Sequence, residues 1–145
     1  MIPRWHIILG AIFTLVIWIF AQNLSWIFLL LIFLSSFLVD LDHYIVSAIK
    51  TGKLNLGHSF EYHKKMKAIE LAEKAKGIKR KGDFHLFHTI EFHVLIGIIG
   101  MFFVPFFYVF IGMVFHSLID ILYMTYQGRF YRREYFFFNW LRNKF

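Results

Sequence analysis

The sequence predicts an all-α integral membrane protein, a bundle of four transmembrane helices with a cytoplasmic amphipathic helix and a basic, aromatic C-terminal segment. Hydrophobic residues make up 59% of the 145 residues and include 20 Phe, a composition too apolar for a soluble domain of this length. The apolar residues fall into four runs, and all 16 Lys and Arg lie between or beside those runs. The chain is expected to form a single membrane domain, residues 1–145.

Each predicted span is an apolar run bounded by polar residues or a turn. Gln22 and Asn23 separate the first run from the second, and Pro105 separates the third from the fourth. The first run has no A-x-A-like cleavage site and a second run follows at once, so it is expected to be retained rather than removed as a signal. A helix needs about 20 residues to cross a bilayer, so the shorter runs are expected to extend into their flanks. The four predicted spans are residues 7–21, 24–43, 84–104 and 106–126.

Two polar segments carry most of the charge. The insert, residues 50–83, holds ten Lys or Arg against four acids, and residues 59–76 within it have the pattern of an amphipathic helix capped by Ser59 and ended by Gly77. The tail, residues 128–145, mixes five Lys or Arg with eight aromatic residues, as is typical of a segment in the headgroup region. Since the two outer turns have no Lys or Arg, the positive-inside rule places both termini and the insert in the cytoplasm.

The positive charge has a nearby partner in the membrane itself. The net charge is +7, and the basic residues flank hydrophobic segments, so anionic lipid headgroups are the expected partner. Nothing in the sequence supports nucleic-acid binding.

Three short stretches carry ionisable residues where apolar side chains are expected. Residues 85–93, H-L-F-H-T-I-E-F-H, hold three His and one Glu. The second span ends in D-L-D-H, residues 40–43, and the fourth span carries H-S-L-I-D, residues 116–120. Ionisable groups at membrane depth are costly, and they are usually functional.

These stretches are expected to meet at one level. His88 precedes Pro105 by 17 residues, and Asp120 follows it by 15. Asp40 follows Asn23, in the other outer turn, by 17 residues. At a rise of about 1.5 Å per helical residue, the three positions lie at nearly equal heights near the cytoplasmic face.

A metal ion is the expected partner of the acids in these stretches. No Lys or Arg lies within the apolar runs, so buried carboxylates there must protonate or bind a cation. The chain has no Cys, which leaves nitrogen and oxygen ligands and suits zinc, with Mn²⁺ or Fe²⁺ as alternatives. The candidate ligands are Asp40, Asp42, His43, His88, Glu91, His93, His116 and Asp120.

Helical facing leaves the third span unsettled. In a regular helix His93 lies about 140° from His88, and Glu91 is nearly opposite His93. Either the helix is irregular near its start, or only some of the four residues His85, His88, Glu91 and His93 are ligands. The alternative position of His85 is the headgroup layer. His6 is expected at the membrane interface, and His58 and His63 are expected in solvent.

At these residues the chain resembles the membrane-bound metal-dependent hydrolases, also described as LexA-binding, inner-membrane-associated hydrolases. That family carries P-D-x-D-H, H-R-G-x-T-H and H-x-x-x-D; here V-D-L-D-H, H-T-I-E-F-H and H-S-L-I-D stand in the same order. Val39 replaces the proline, Thr89 and Ile90 replace Arg-Gly, and Glu91 is an additional acid. The resemblance, over roughly residues 38–127, implies an inner-membrane location and, because the family is grouped with zinc-dependent phospholipase C and nuclease-like enzymes, phosphoester hydrolysis. LexA binding is not carried over.

The hypothesis is therefore a membrane-embedded hydrolase in which zinc activates water for attack on a phosphoester or other ester of a lipid-associated or anionic substrate. Glu91 or Asp42 is the expected general base. One alternative is a membrane di-iron lipid oxidoreductase, although the chain lacks the adjacent histidine pair of such enzymes. Another is a metal transporter or a metal-stabilised structural membrane protein, and transport predicts ligands spread over the whole bilayer depth.

Overall fold

The computed structural model describes residues 3–144, and all regular structure within that range is helical, with no strand among those residues. This confirms the all-α prediction. Residues 1–2, and Phe145 at the end of the predicted tail, lie outside the described residues. Short 3₁₀ turns occur at Leu86–His88 and Phe130–Arg132. The helices are α1 (Pro3–Phe20), α2 (Trp26–Leu38), α3 (Leu41–Thr51), α4 (Leu56–Ala75), α5 (Ile90–Phe102), α6 (Val104–Tyr126) and α7 (Phe137–Lys144).

Two helical stretches are long and apolar enough, by length and composition, to cross a membrane: Trp26–Thr51, which joins α2 to α3, and Val104–Tyr126, which is α6. The apolar helices of the first and third predicted spans are shorter, at Arg4–Phe20 and Ile90–Phe102.

The distribution of polar and apolar side chains is the reverse of that in a soluble domain. Large apolar side chains lie outside, with Phe20 87% and Met101 79% exposed. The buried side chains of residues 3–144 are mostly polar or ionisable, and the buried hydrophobic ones are Ile32, Val39, Met113 and Met124. A soluble protein buries most of its large apolar residues, and exposed apolar patches of this extent mark surfaces that contact lipid or another protein.

Small residues let three helices approach closely. Helix α6 packs against α2 and α5, and α1 packs against α2. A Cβ atom at Gly112 of α6 would lie 2.0 Å from Ser35 Oγ and 2.3 Å from the Ile32 carbonyl oxygen of α2. A Cβ atom at Gly10 of α1 would lie 2.0 Å from Ser36 Oγ. Close backbone approach at small residues is the usual way in which membrane helices associate.

The second predicted span is interrupted near its end. Helix α2 stops at Leu38, and α3 begins at Leu41. Between them the Asp40 N–H donates to the Phe37 carbonyl at 3.1 Å, so it does not reach the Ser36 carbonyl one residue further back. The Ser36 carbonyl is therefore available to another donor.

The third predicted span begins later than expected. Residues 84–89 do not form a regular helix, and α5 starts at Ile90 with Thr89 as its N-cap, whose Oγ1 accepts from the Phe92 N–H at 3.3 Å. The third span is thus irregular near its start, which is one of the two possibilities that the angular positions of His88, Glu91 and His93 left open. Pro105 lies in the first turn of α6, where its missing N–H costs nothing.

The insert contains α4, which Asn55 caps, which ends before Gly77, and which pairs with the tail through Glu70. Helix α4 is capped by Asn55, which accepts from the Gly57 N–H at 2.7 Å, rather than by the predicted Ser59. It ends before Gly77, whose φ of 71° is the left-handed conformation expected at that stop. The buried Glu70 pairs with Arg129 of the tail, and not with Lys74 as the i,i+4 spacing suggests.

The Glu70→Gln substitution is expected to loosen the tail, because it leaves the Arg129 guanidinium without its charged partner. A charge-assisted hydrogen bond of this kind contributes about 2 kcal/mol. Thermal unfolding in detergent and limited proteolysis of residues 128–144 measure the effect. Glu61→Gln is the matched control, since the Glu61 side chain is 78% exposed. Equal stability and equal protease resistance of the two variants would contradict this reading.

Candidate metal centre

Imidazoles and carboxylates from four parts of the chain meet in one buried layer. They come from α1, from the junction of α2 and α3, from the 3₁₀ turn before α5, and from α6. His6 and His116 are fully buried, and Asp120 is 1% exposed. The five side chains at the middle of the layer are His6, Asp40, His88, His116 and Asp120.

Four of these residues have the spacing of metal ligands. His6 Nε2 lies 3.2 Å from Asp120 Oδ1 and 3.7 Å from Asp40 Oδ2. His116 Nε2 lies 3.5 Å from Asp40 Oδ1 and 3.8 Å from Asp120 Oδ2. Tetrahedral zinc with bonds of about 2.0–2.1 Å separates its ligand atoms by about 3.3 Å. A small contraction of this group would therefore enclose one divalent ion.

Helix packing explains why the ligands converge. His6 precedes Gly10 by four residues, His116 follows Gly112 by four, and Asp40 follows Ser36 by four. Four residues is about one helical turn, so each ligand lies one turn from a point of closest helix approach. The small residues thus fix the separation of the three helices where the site is built.

Two histidines face each other through their Nε2 atoms. The Nδ1 of His88 lies 3.0 Å from Asp42 Oδ2, and the Nδ1 of His116 lies 2.9 Å from the Ser36 carbonyl oxygen. A carboxylate and a carbonyl only accept, so each Nδ1 atom carries a hydrogen and donates it. When the ring is neutral, its Nε2 atom then has no hydrogen and carries a lone pair. These Nε2 atoms lie 3.1 Å apart. Two lone pairs at that distance repel unless a proton or a metal ion lies beside them.

A second group lies beside the first. The Nδ1 of His85 is 3.6 Å from Asp42 Oδ1, and the His43 and His85 rings are 3.8 Å apart between centroids. Asp42 Oδ2 also accepts from the Phe87 N–H at 3.0 Å. Asp42 Oδ1 and His85 Nδ1 are buried and have no hydrogen-bond partner among residues 3–144. Such orphaned polar atoms are costly, and a metal ion or an exchangeable proton would satisfy them.

One cation reaches the centre from the tail. Arg133, whose side chain is 9% exposed, places Nη2 2.8 Å from Asp120 Oδ2. The sequence showed no Lys or Arg within the apolar runs, and this guanidinium arrives from outside them. Within residues 3–144, the salt-bridge partners of Asp40 and Asp42 are imidazoles alone. These two carboxylates therefore still need protonated imidazoles or a metal ion.

The structure does not bring Glu91 and His93 to this centre. The Glu91 carboxylate accepts from the backbone N–H groups of Phe137 and Phe138, at 2.8 and 3.3 Å, and so holds the start of α7. His93 has other partners, with Nδ1 2.9 Å from the Thr89 carbonyl and Nε2 2.9 Å from Ser117 Oγ. Both residues have structural partners that account for them.

The structure gathers six of the eight candidate ligands, and it adds three residues that were not among them. The six that the structure gathers are Asp40, Asp42, His43, His88, His116 and Asp120. His6, expected at the membrane interface, and His85, left open between ligation and the headgroup layer, are buried within the group, and Arg133 was not considered. The sequence contains a signal for the height of His6. It lies 17 residues before Asn23, and Asp40 lies 17 residues after Asn23, so the same count places both at one level.

Comparisons with known proteins leave the centre unassigned. No family model, curated protein or solved structure matches this chain. The resemblance to the membrane-bound hydrolases stays a prediction based on three short motifs. Function has to be inferred from the geometry of the centre.

The insert is fastened beside the centre by a polar group outside the apolar helices. The Asp83 carboxylate accepts from Lys50 Nζ at 2.8 Å and from the Tyr62 hydroxyl at 2.7 Å. Burial acts to raise the pKa of Asp83, but these two hydrogen bonds outweigh it and lower the pKa below its ordinary value. Burial and the Asp83 charge together raise the pKa of Tyr62. These contacts hold α3 and α4 to the irregular segment that precedes His85.

Proposed function

We propose that the chain is a four-span integral membrane protein with a metal-dependent hydrolase centre at the cytoplasmic face of the inner membrane. The outward-facing apolar side chains support an integral location, and two stretches have the length and composition of spans. Helices α1 and α5 pack with them and carry or flank ligands at the same level, so we assign all four apolar helices to the bilayer. Both termini and the basic insert then lie on the cytoplasmic side.

The observation that carries the metal proposal is the pair of facing Nε2 atoms of His88 and His116, 3.1 Å apart beside Asp40 and Asp120. His6, Asp40, His116 and Asp120 would hold the ion, with His88 facing it. Zinc suits this mixed imidazole and carboxylate set, which Mn²⁺ and Fe²⁺ also accept. A bound divalent ion would lower the pKa of a coordinated water and polarise an ester oxygen.

The remaining groups have separate tasks. Asp42 Oδ2 lies 3.0 Å from His88 Nδ1 and so orients the His88 ring toward the four proposed ligands. Asp42 Oδ1 and His85 Nδ1, both without hydrogen-bond partners in the described chain, are placed to accept a proton from the attacking water. Glu91 is occupied by the α7 backbone, so Asp42 is the better candidate for general base. Arg133 places a positive charge where an anionic ester would bind.

The Asp42→Asn variant tests the proposed roles. At saturating zinc it is expected to hydrolyse lipid phosphoesters about 100-fold or more slowly than wild type, because the proton acceptor is lost. It is expected still to bind metal, because Asp42 is not among the four residues proposed to hold the ion. Phosphate release from phosphatidic acid, and headgroup release from phosphatidylglycerol, are measured on detergent-purified protein. Glu91→Gln is the comparison variant, and we expect it to keep turnover.

One result would count against the role of Asp42, and two would count against the hydrolase. Undiminished turnover by Asp42→Asn removes the proton-acceptor role. Stoichiometric iron with oxygen-dependent activity would favour an oxidoreductase. Zinc flux into liposomes without ester hydrolysis would favour a transporter, although the ligands gather in one layer rather than along a path across the bilayer.

A further inference from the structure

An apolar groove leads away from the metal centre between α5 and α6. Its volume is about 520 Å³, within the range of small-ligand sites. It follows α5 from Ile90 to Met101, a length of about 16 Å at the helical rise. The walls are almost entirely apolar, and they are formed by Ile90, Val94, Ile98, Met101, Phe107, Val114, Leu118 and Ile121.

Five polar side chains line the groove: His88, His93, Ser117, Arg133 and Tyr135. His93 Nε2 and Ser117 Oγ are bonded to each other at 2.9 Å, whereas His88 and Arg133 lie at the metal centre beside Asp40 and Asp120. The Arg133 guanidinium is beside Asp120, and the Tyr135 hydroxyl is buried without a hydrogen-bond partner among residues 3–144. A cation and an unsatisfied hydroxyl at one end of an apolar groove are suited to an anionic headgroup attached to a hydrocarbon chain.

The side of the groove faces outward. Val94, Ile98 and Leu118 are each at least half exposed along it. In the proposed four-span arrangement this face borders lipid hydrocarbon, so a chain can enter sideways without crossing water. Gly97 and Phe110 also line the groove, and a Cβ atom added at Gly97 would meet the Phe110 ring at 3.4 Å.

We propose that the groove binds an acyl chain of a phosphate-bearing lipid and that Arg133 and Tyr135 bind its phosphate next to the metal centre. The catalytic meaning of this site rests on the proposed function, because it names the substrate class of that centre. Binding itself needs no turnover. The groove thereby selects for a hydrocarbon chain, and its polar end selects for the charge.

Photolabelling tests the groove separately from catalysis. The full chain in detergent is stripped of metal with a chelator and irradiated with phosphatidic acid that carries a photoactivatable acyl chain. We expect labelled peptides from α5 and α6 within residues 94–118, competed by unlabelled phosphatidic acid and not by inorganic phosphate. Competition by inorganic phosphate alone, or labelling spread evenly over the apolar surface, would overturn the proposal.

Two substitutions locate the two parts of the site. Leu118→Trp is expected to fill the groove and lose most of the labelling, whereas Leu122→Trp, 69% exposed and outside the groove, is expected to keep it. Size-exclusion profiles establish that both variants fold. Arg133→Gln is expected to lose the preference for phosphatidic acid over diacylglycerol, and Arg142→Gln is expected to retain it.

The outcomes separate the two proposals. Groove labelling that depends on Leu118 and Arg133, in a protein with no hydrolase activity, leaves the lipid site standing and removes the hydrolase. Turnover of water-soluble phosphoesters with no groove labelling leaves the hydrolase standing and removes the lipid site. Cross-links between two copies of the chain through Leu118 would reassign the groove to a protein interface.

Discussion

Purified His116→Ala protein is expected to contain no stoichiometric metal, whereas wild type retains it through dialysis. His116 would contribute one of the four proposed ligand atoms, and it lies fully buried, so no exposed residue can replace it. Loss of a residue that merely orients a ligand lowers metal affinity by about 10–100-fold, and loss of a ligand should cost at least as much. Inductively coupled plasma mass spectrometry on detergent-purified protein gives the metal-to-protein ratio.

His93→Ala is the matched control for that measurement. His93 is also a histidine within an apolar helix, and its nitrogens already bond to Thr89 and Ser117. It should therefore keep the wild-type metal content. Full metal in a His88→Ala, His116→Ala double variant would eliminate the centre, while loss of metal in His93→Ala would restore the ligand set that the sequence alone predicts.

Much of the centre could be predicted from two counts along the chain. The rise of a helix and the positions of two uncharged turns were enough to bring Asp40, His88 and Asp120 to one level. The same count applies to His6, but a histidine close to a basic N-terminal stub is more readily assigned to the headgroup layer. Its burial follows from the packing of α1 on Ser36, a contact with no local sequence signal.

The direction of the side chains on the third span could not be predicted in this way. Helical facing holds only where the helix is regular, and α5 begins at Ile90, after His85 and His88. The 3₁₀ turn that carries His88 is held by Asp42, which accepts from the Phe87 N–H from 45 residues away. Since that contact is long range, periodicity within residues 85–93 contains no information about it.

Arg133 shows a second limit. Charge counting assigned the tail to the headgroup region as a whole, and it treated its five basic residues alike. In the structure the tail is folded back over the insert, with Gly82 N–H donating to the Arg132 carbonyl at 2.7 Å and Ile90 N–H donating to the Tyr135 carbonyl at 2.9 Å. These two backbone contacts flank Arg133 and direct it to the buried centre.

Gly112→Ala is expected to destabilise the bundle and to empty the metal centre together. The new Cβ atom would lie 2.0 Å from Ser35 Oγ and 2.3 Å from the Ile32 carbonyl oxygen. A side-chain rotation can move the hydroxyl, but the carbonyl belongs to the α2 backbone, so α2 and α6 must separate. Overpacking of this kind costs about 1–3 kcal/mol.

Separation of α2 and α6 should also displace His116, because His116 is one turn from Gly112 and bonds to the Ser36 carbonyl of α2 at 2.9 Å. Melting temperature in detergent and the metal-to-protein ratio are measured on the same preparation. Gly97→Ala is the control, since its Cβ atom would meet the Phe110 ring at no less than 3.4 Å and the ring can shift. Adding Ser35→Gly to Gly112→Ala should restore only part of the stability, because the contact with the Ile32 carbonyl remains. A Gly112→Ala protein that melts and binds metal as wild type does would show that α2 and α6 are not held at this distance, and the close approach could then not be what positions His116 against Asp40.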